Sequence, residues 1–243
     1  MSNSNLRSLS IVIPAYNEEK TVGIVLDQLR ELKIPGFEKE VIVVDDGSKD
    51  RTAKIVNEKE KTFKGLRLIV HAKNKGKGAA VITGLNSATG DVLMIQDADL
   101  EYDPNDIPRL IEPIALGKEQ VVYGSRLRKK PVLFGKNKTP FLLHFFGNKF
   151  LSFLTTIMYG RTVSDMETCY KAFSKKSLEG IVLKSRTFDF EPEITAKILK
   201  KKIDIFEIDI DTKPRSYEEG KKLHTFRDGF KALWTLLKYR FTD

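Results

Sequence analysis

Short apolar runs and amphipathic stretches alternate along the first half of the chain. Residues 9–13 (Leu-Ser-Ile-Val-Ile) form an apolar, β-branched run stopped by Pro14, and residues 41–44 (Val-Ile-Val-Val) form another that ends in Asp45-Asp46-Gly47-Ser48. Between them, residues 21–32 place Val22, Val25, Leu26 and Leu29 at helical spacing. The same reading gives a helix over 51–61, a strand over 66–70, a helix over 78–87, a strand over 92–96, a helix over 107–116 and a strand over 121–123. Near-continuous apolar strands alternating with helices predict an α/β class, with a Rossmann-like, mostly parallel sheet flanked by helices. Ligands of such sheets bind beyond the carboxyl ends of the strands. Three polar clusters fall there: Asn17-Glu18-Glu19, Asp45-Asp46 and the run Gln96-Asp97-Ala98-Asp99-Leu100-Glu101.

The second half is patterned differently. Residues 126–138 make a basic loop with little apolar content. Residues 141–159 are strongly apolar and aromatic, interrupted at helical spacing by His144, Asn148, Ser152 and Thr155 or Thr156. That narrow polar stripe leaves a very broad apolar face. It fits a buried core helix or a helix lying in a membrane interface, the latter favoured by the basic residues just ahead of it. Residues 226–241 repeat the theme: Phe226, Phe230, Leu233, Trp234 and Leu237 share one face, beside Lys231, Lys238 and Arg240.

Composition narrows the partners. A formal charge of +9 favours anions such as phosphates, nucleic acid or an acidic membrane surface. Cys169 is the single cysteine, so no internal disulfide is possible and a reducing compartment fits. The opening residues are polar, unlike a signal peptide, and no run of about 20 apolar residues predicts a conventional membrane span. No aromatic-plus-basic sheet motif, zinc site or recognition helix points to nucleic acid.

Asp97 and Asp99 are two residues apart after a buried-looking strand, so their side chains leave on the same face. Two carboxylates so placed call for a cation between them, and a hard divalent ion, Mg²⁺ or Mn²⁺, is the natural one, commonly with substrate phosphates. Gly124-Ser125-Arg126 follows the fifth strand; its glycine permits close backbone approach and its arginine suits phosphate. Asn74-Lys75-Gly76-Lys77-Gly78 opens a helix and offers backbone N–H groups to phosphate, without the spacing of a Walker or dinucleotide loop. Asp45 and Asp46 suit either a capping turn or hydrogen bonds to a base or ribose.

Five motifs occur in order: residues 12–19 (Val-Ile-Pro-Ala-Tyr-Asn-Glu-Glu), Val44-Asp45-Asp46-Gly47-Ser48 with Asp50 and Thr52, Asn74-Lys75-Gly76-Lys77-Gly78, Gln96-Asp97-Ala98-Asp99, and Gly124-Ser125-Arg126. Together they closely resemble family 2 glycosyltransferases of the A-type, nucleotide-sugar-binding fold. Within these the chain is most similar to dolichol-phosphate (polyprenyl-phosphate) mannosyltransferases and related glucosyltransferases. The resemblance runs over residues 9–222 and includes residues 165–173, 188–194 and 214–222, similar to acceptor-side segments of that branch. The chain departs at Glu101, where mannosyltransferases often carry Gln, and in its Glu-Gly-Lys-Lys wording at 219–222.

The resemblance implies an inverting hexosyltransferase that moves mannose from GDP-mannose, or glucose from UDP-glucose, to a polyprenyl or dolichyl phosphate by direct displacement. Pro14, Ala15, Tyr16, Glu18 and Asp45 or Asp46 would hold the nucleoside. Lys77, Asp97, Ala98 and Arg126 complete the donor site, and Asp97, Asp99 and Glu101 hold Mg²⁺ or Mn²⁺. Arg126, Arg215 and Lys221 would gather phosphates, while Asp189 and Glu191 position groups rather than act as an obligate base. Residues 1–125 form the nucleotide-sugar half and 126–223 the acceptor half of one catalytic domain, including an interfacial helix over 140–159. Residues 224–243 form a C-terminal amphipathic helix. Lys129, Lys130, Lys136 and Lys138 would meet lipid head groups. The implied place is cytoplasmic, peripheral at the cytoplasmic face of a membrane, with room for a separate membrane subunit. The alternative is a soluble family 2 enzyme acting on a sugar or protein hydroxyl.

Overall fold

The computed structural model describes residues 7–128, 142–213 and 225–242. One seven-stranded sheet runs through it, in the order β3-β2-β1-β4-β6-β5-β7. β1 (Arg7–Ala15), β2 (Phe37–Asp45), β3 (Leu66–Val70) and β4 (Val92–Ile95) are mutually parallel. β5 (Val121–Ser125) and β7 (Phe206–Asp209) pair in parallel at the other edge. β6 (Lys171–Ser174) is antiparallel to both of its neighbours, β4 and β5.

Side-chain alternation divides the core into two layers. Leu9, Ile11 and Ile13 of β1 pack with α1 (Val22–Glu31), α2 (Thr52–Glu60) and α4 (Ile107–Ala115). Val12 faces the layer of α3 (Lys77–Ser87), α5 (Leu142–Tyr159), α7 (Phe190–Lys200) and α8 (Thr225–Phe241). A short α6 (Lys175–Leu178) follows β6. Val22, Val25, Leu26 and Leu29 are all fully buried, as their helical spacing predicts. Each such side chain contributes about 1.5–3 kcal/mol of apolar burial.

Pro14 does not stop β1, which continues to Ala15. Gln96 donates its backbone N–H to Val12 O, so Val12 faces β4, and Pro14 shares that parity. Pairing with β4 ends at Val12 opposite Ile95, so the missing N–H of Pro14 falls where no bond is required.

The C-terminal part of the polar stripe of α5, Ser152 and Thr155, faces inward. Thr155 has 0% exposure and Ser152 is buried, whereas Phe153 is 60% exposed and Phe146, Phe150 and Ile157 are exposed beside it. Ser152 Oγ accepts the Met166 N–H at 2.9 Å, and Thr155 Oγ1 donates to Leu151 O at 2.8 Å, so the buried hydroxyls are satisfied. α8 exposes Phe230, Trp234, Leu237 and Phe241 at the same spacing and buries Ala232, Leu236 and Tyr239. Leu233 is not on the exposed face with them; it packs against the core. The Phe226 side chain and Lys129, Lys130, Lys136 and Lys138 lie outside the described residues. Among the described residues, no helix is long and apolar enough to cross a membrane.

Candidate active site

The antiparallel strand builds the site. Met94 of β4 pairs with Ala172, and Tyr123 of β5 pairs with Lys171. The residues that lead into β6, 165–170, therefore sit at the carboxyl ends of β4 and β5, between Asp97 and Arg126. Tyr102 Oη accepts the Cys169 N–H at 3.1 Å, and the Tyr102 and Tyr170 rings lie 4.9 Å apart, tying this segment to the acidic loop. Leu100 has φ 64, a left-handed turn that costs a branched residue energy and reverses the chain just past Asp99.

Lys77, at the start of α3, places its Nζ 2.7 Å and 2.9 Å from the two oxygens of Asp97, and 2.9 Å from Cys169 Sγ. Burial opposes the Lys77 charge, but Asp97, Cys169 and Glu191 outweigh it and hold the ammonium well above its usual range. Burial and Asp97 push the Cys169 thiol up, so it is no nucleophile at neutral pH. Two of the backbone N–H groups of the 74–78 loop are already taken within the protein. Lys75 N and Gly76 N donate to the Asp46 carboxylate at 2.9 Å and 2.7 Å, and Ala79 N donates to Arg186 O. Gly76 is required by close approach: a Cβ there would stand 2.3 Å from Arg186 O, at φ +98.

Asp46 also meets His71 Nδ1 at 2.7 Å, so both its oxygens are occupied by the 71–76 loop. These bonds anchor the loop, and His71 is a partner that no motif suggested. Asp45 accepts from Ser48 in the turn. Pro14 and Ala15 are at the end of β1, and the following turn, with Tyr16, is closed by Glu18 N donating to Thr52 Oγ1 at 2.8 Å. Ala98 is buried between the two aspartates.

Arg126 is locked. Its Nε and Nη2 each donate to Asp165 at 2.8 Å, and its backbone N–H adds a third bond at 2.9 Å. Asp165 is itself fixed, since Glu207 on β7 accepts the Ser164 and Asp165 N–H groups. Only the outer N–H groups of Arg126 are left to face a phosphate. Glu191 is buried and paired with Lys171 Nζ. Asp189 accepts from Thr187 N at 3.0 Å and lies 3.1 Å from Lys231 Nζ on α8. Burial would raise the Asp189 carboxyl, but bonds from Thr187 and Lys231 prevail and hold it below its usual value. Arg215 and Lys221 lie outside the described residues; Lys213, just before that segment, donates its N–H to Glu101 O at 3.0 Å.

A model described as Glycosyl transferase family 2 matches residues 10–182. The chain belongs to this family. A Methanococcus voltae relative, a UDP-N-acetylglucosamine–dolichyl-phosphate N-acetylglucosaminyltransferase, is 35% identical over 93% of this chain and 94% of its own length. A Photorhabdus laumondii undecaprenyl-phosphate 4-deoxy-4-formamido-L-arabinose transferase is 29% identical over 98% of this chain and 69% of its own. The crystal structure of Mycobacterium tuberculosis glucosyl-3-phosphoglycerate synthase with Mn²⁺, UDP and phosphoglyceric acid shares the fold, with TM-score 0.69 and 20% identity over 98% of this chain and 80% of that one.

In this family 2 glycosyltransferase the acidic loop fits a divalent cation. Burial, Asp97 and Glu101 push the Asp99 carboxyl up to about 7, the mark of carboxylates crowded without enough positive charge. Among the described residues, no three His, Cys, Asp or Glu side chains form a ready-made metal cluster. Two carboxylates, completed by phosphate oxygens of a ligand, match how Mg²⁺ and Mn²⁺ are usually held. One carboxylate of the glycosyltransferase has no evident task. Glu167 is pushed up to about 8, first by burial and then by Glu191, and its Oε1 is buried with no hydrogen-bond partner.

Proposed function

We propose that this family 2 glycosyltransferase moves a sugar from a nucleoside diphosphate donor to a polyprenyl phosphate met at a membrane surface. The observation that carries the acceptor reading is the orientation of α5, which buries Ser152 and Thr155 and turns Phe146, Phe150, Phe153 and Ile157 outward. A polar-in, apolar-out helix beside a similarly exposed row on α8 suits a lipid surface better than water. The relatives named for dolichyl-phosphate and undecaprenyl-phosphate transfer support the same acceptor class. In this reading the enzyme meets the membrane peripherally, at its cytoplasmic face.

The donor is held at the ends of β1, β2 and β4. Asp97 and Asp99 would hold Mg²⁺ or Mn²⁺, which supplies charge neutralisation on the departing diphosphate. Lys77 and the outer N–H groups of Arg126 add fixed cations, and Arg215 and Lys221 extend that set toward the acceptor phosphate. These charges offset the repulsion between two anionic substrates. The acceptor phosphate is already ionised near neutral pH, so the displacement requires no general base. Asp189, paired with Lys231, and Glu191, paired with Lys171, are positioning residues in this reading.

The resemblance implies mannose or glucose, whereas the Methanococcus voltae relative is named for N-acetylglucosamine and the Photorhabdus laumondii relative for 4-deoxy-4-formamido-L-arabinose. We favour a UDP-linked hexose and rank UDP-N-acetylglucosamine first. Purified protein is given radiolabelled UDP-N-acetylglucosamine, UDP-glucose or GDP-mannose with Mn²⁺, with and without polyprenyl phosphate. Label entering the organic phase only with lipid and metal supports the reading and names the sugar. Turnover onto a water-soluble hydroxyl acceptor, with the lipid ignored, refutes it.

A further inference from the structure

We infer that Glu167 reads the donor sugar, its unpartnered Oε1 accepting a hydrogen bond from a hydroxyl or amide N–H of the hexose. The inference rests on the donor reading above and adds the group that discriminates among sugars. Two buried side-chain oxygens among the described residues lack a partner, Gln96 Oε1 and Glu167 Oε1. Gln96 is fully buried and its Nε2 bonds to Asp97 O at 3.1 Å, so it belongs to the end of β4. Glu167 is only partly buried as a residue, in the 165–170 segment between Asp97 and Arg126.

The two cations that act on Glu167, Lys171 and Arg126, have other carboxylate partners. Lys171 Nζ is taken by Glu191 and by the carbonyls of Met166 and Thr168. Arg126 presents Nε and Nη2 to Asp165. A buried acceptor left unmade costs stability, so its presence in a native fold calls for a functional explanation, and a ligand that supplies the missing donor is one. The chemistry of that ligand follows from charge. Burial, then Glu191 and more weakly Asp165, work against negative charge at Glu167, so a neutral partner that both donates and accepts suits it better than a second anion. The sugar is the part of the donor rich in O–H groups, and an acetamido sugar adds an N–H. A site that hydrogen-bonds such a group rejects analogues lacking it, because its own polar atom is then stranded.

The test measures binding by calorimetry, with Mn²⁺ present, for the parent protein, Glu167→Leu and Glu167→Gln. The ligands are UDP, UDP-N-acetylglucosamine, UDP-glucose, GDP and GDP-mannose. For the nucleotide sugar that the parent prefers, Glu167→Leu is expected to lower affinity about tenfold or more relative to the matching free nucleotide. Glu167→Gln keeps a carbonyl oxygen and is expected to restore most of the loss. The thermal midpoint of Glu167→Leu should equal or exceed the parent's, since a stranded acceptor has been removed. An unchanged ratio of nucleotide sugar to nucleotide overturns this inference alone. Equal losses for both, with a lowered midpoint, assign Glu167 a structural role and overturn it as well. A parent that binds no nucleotide sugar overturns the donor reading and this inference together.

Discussion

At Asp99 the cost of gathering carboxylates appears as acidity. Its folded carboxyl titrates at about 7, against 3.8 as the ordinary value. Between these values the folded chain holds a proton that the unfolded chain releases. The Asp99 contribution to stability is therefore complete below 3.8 and lost as pH rises through about 7. Metal-free protein should show a thermal midpoint that falls over this window, and Asp99→Asn should flatten the fall while abolishing transfer. Mn²⁺ should raise the midpoint more above pH 7 than below it, because a cation must displace the proton; equal shifts on both sides would contradict the assignment. Asp189→Asn, which keeps an acceptor for Thr187, should reduce transfer only in part. Glu191→Gln leaves Lys171 without its buried carboxylate and should destabilise the fold by about 3 kcal/mol. Its activity loss should be partial and should follow the folded fraction; complete loss in a well-folded Asp189→Asn or Glu191→Gln would restore a general-base role.

Among the elements, α5 and α8 carry the clearest functional signal. Periodicity identified both helices and located the polar stripe of α5, but periodicity is symmetric about which face is buried. The burial of Ser152 and Thr155, with Ser152 accepting the Met166 N–H, turns that part of the stripe inward. α8 cannot simply be deleted to test docking, since Ala232, Leu236 and Tyr239 are part of the core. Point changes avoid this. Phe150→Ser with Trp234→Ser should lower flotation with anionic liposomes several-fold while changing stability by about 0.5 kcal/mol or less per site. Unchanged flotation would remove these rows from the docking face. The elements that the sequence reading missed were β6, α6, α7 and β7. β6 is four residues long and begins with Lys171, and β7 (Phe206–Asp209) is half-exposed, so neither shows an apolar run. Tertiary pairing makes them strands.

Across the molecule, the acidic end of the sheet was legible because β1 to β5 are apolar runs whose polar residues cluster at one end. Lys77 meets Asp97 there, and Asp97 acts on Asp99. Glu167 and the Arg126–Asp165 lock were not legible, because they depend on a reversed strand that no periodicity revealed. The charge of +9 acts at this scale too. Liposome binding should weaken as salt rises, since exposed charges beyond about 8–10 Å are screened near physiological ionic strength. Salt-insensitive binding would assign docking to the aromatic rows alone.

The central place of β6 also governs the order in which the protein can be made. Until residue 174 has left the ribosome, β4 and β5 have no strand between them, and each presents an open edge. A nascent chain ending near residue 125 holds Asp97 and Arg126's neighbour Ser125 but cannot bring their strands into one sheet. Premature release at that length should leave a sticky, incomplete protein, with chaperone demand greatest in the interval before β6 is inserted.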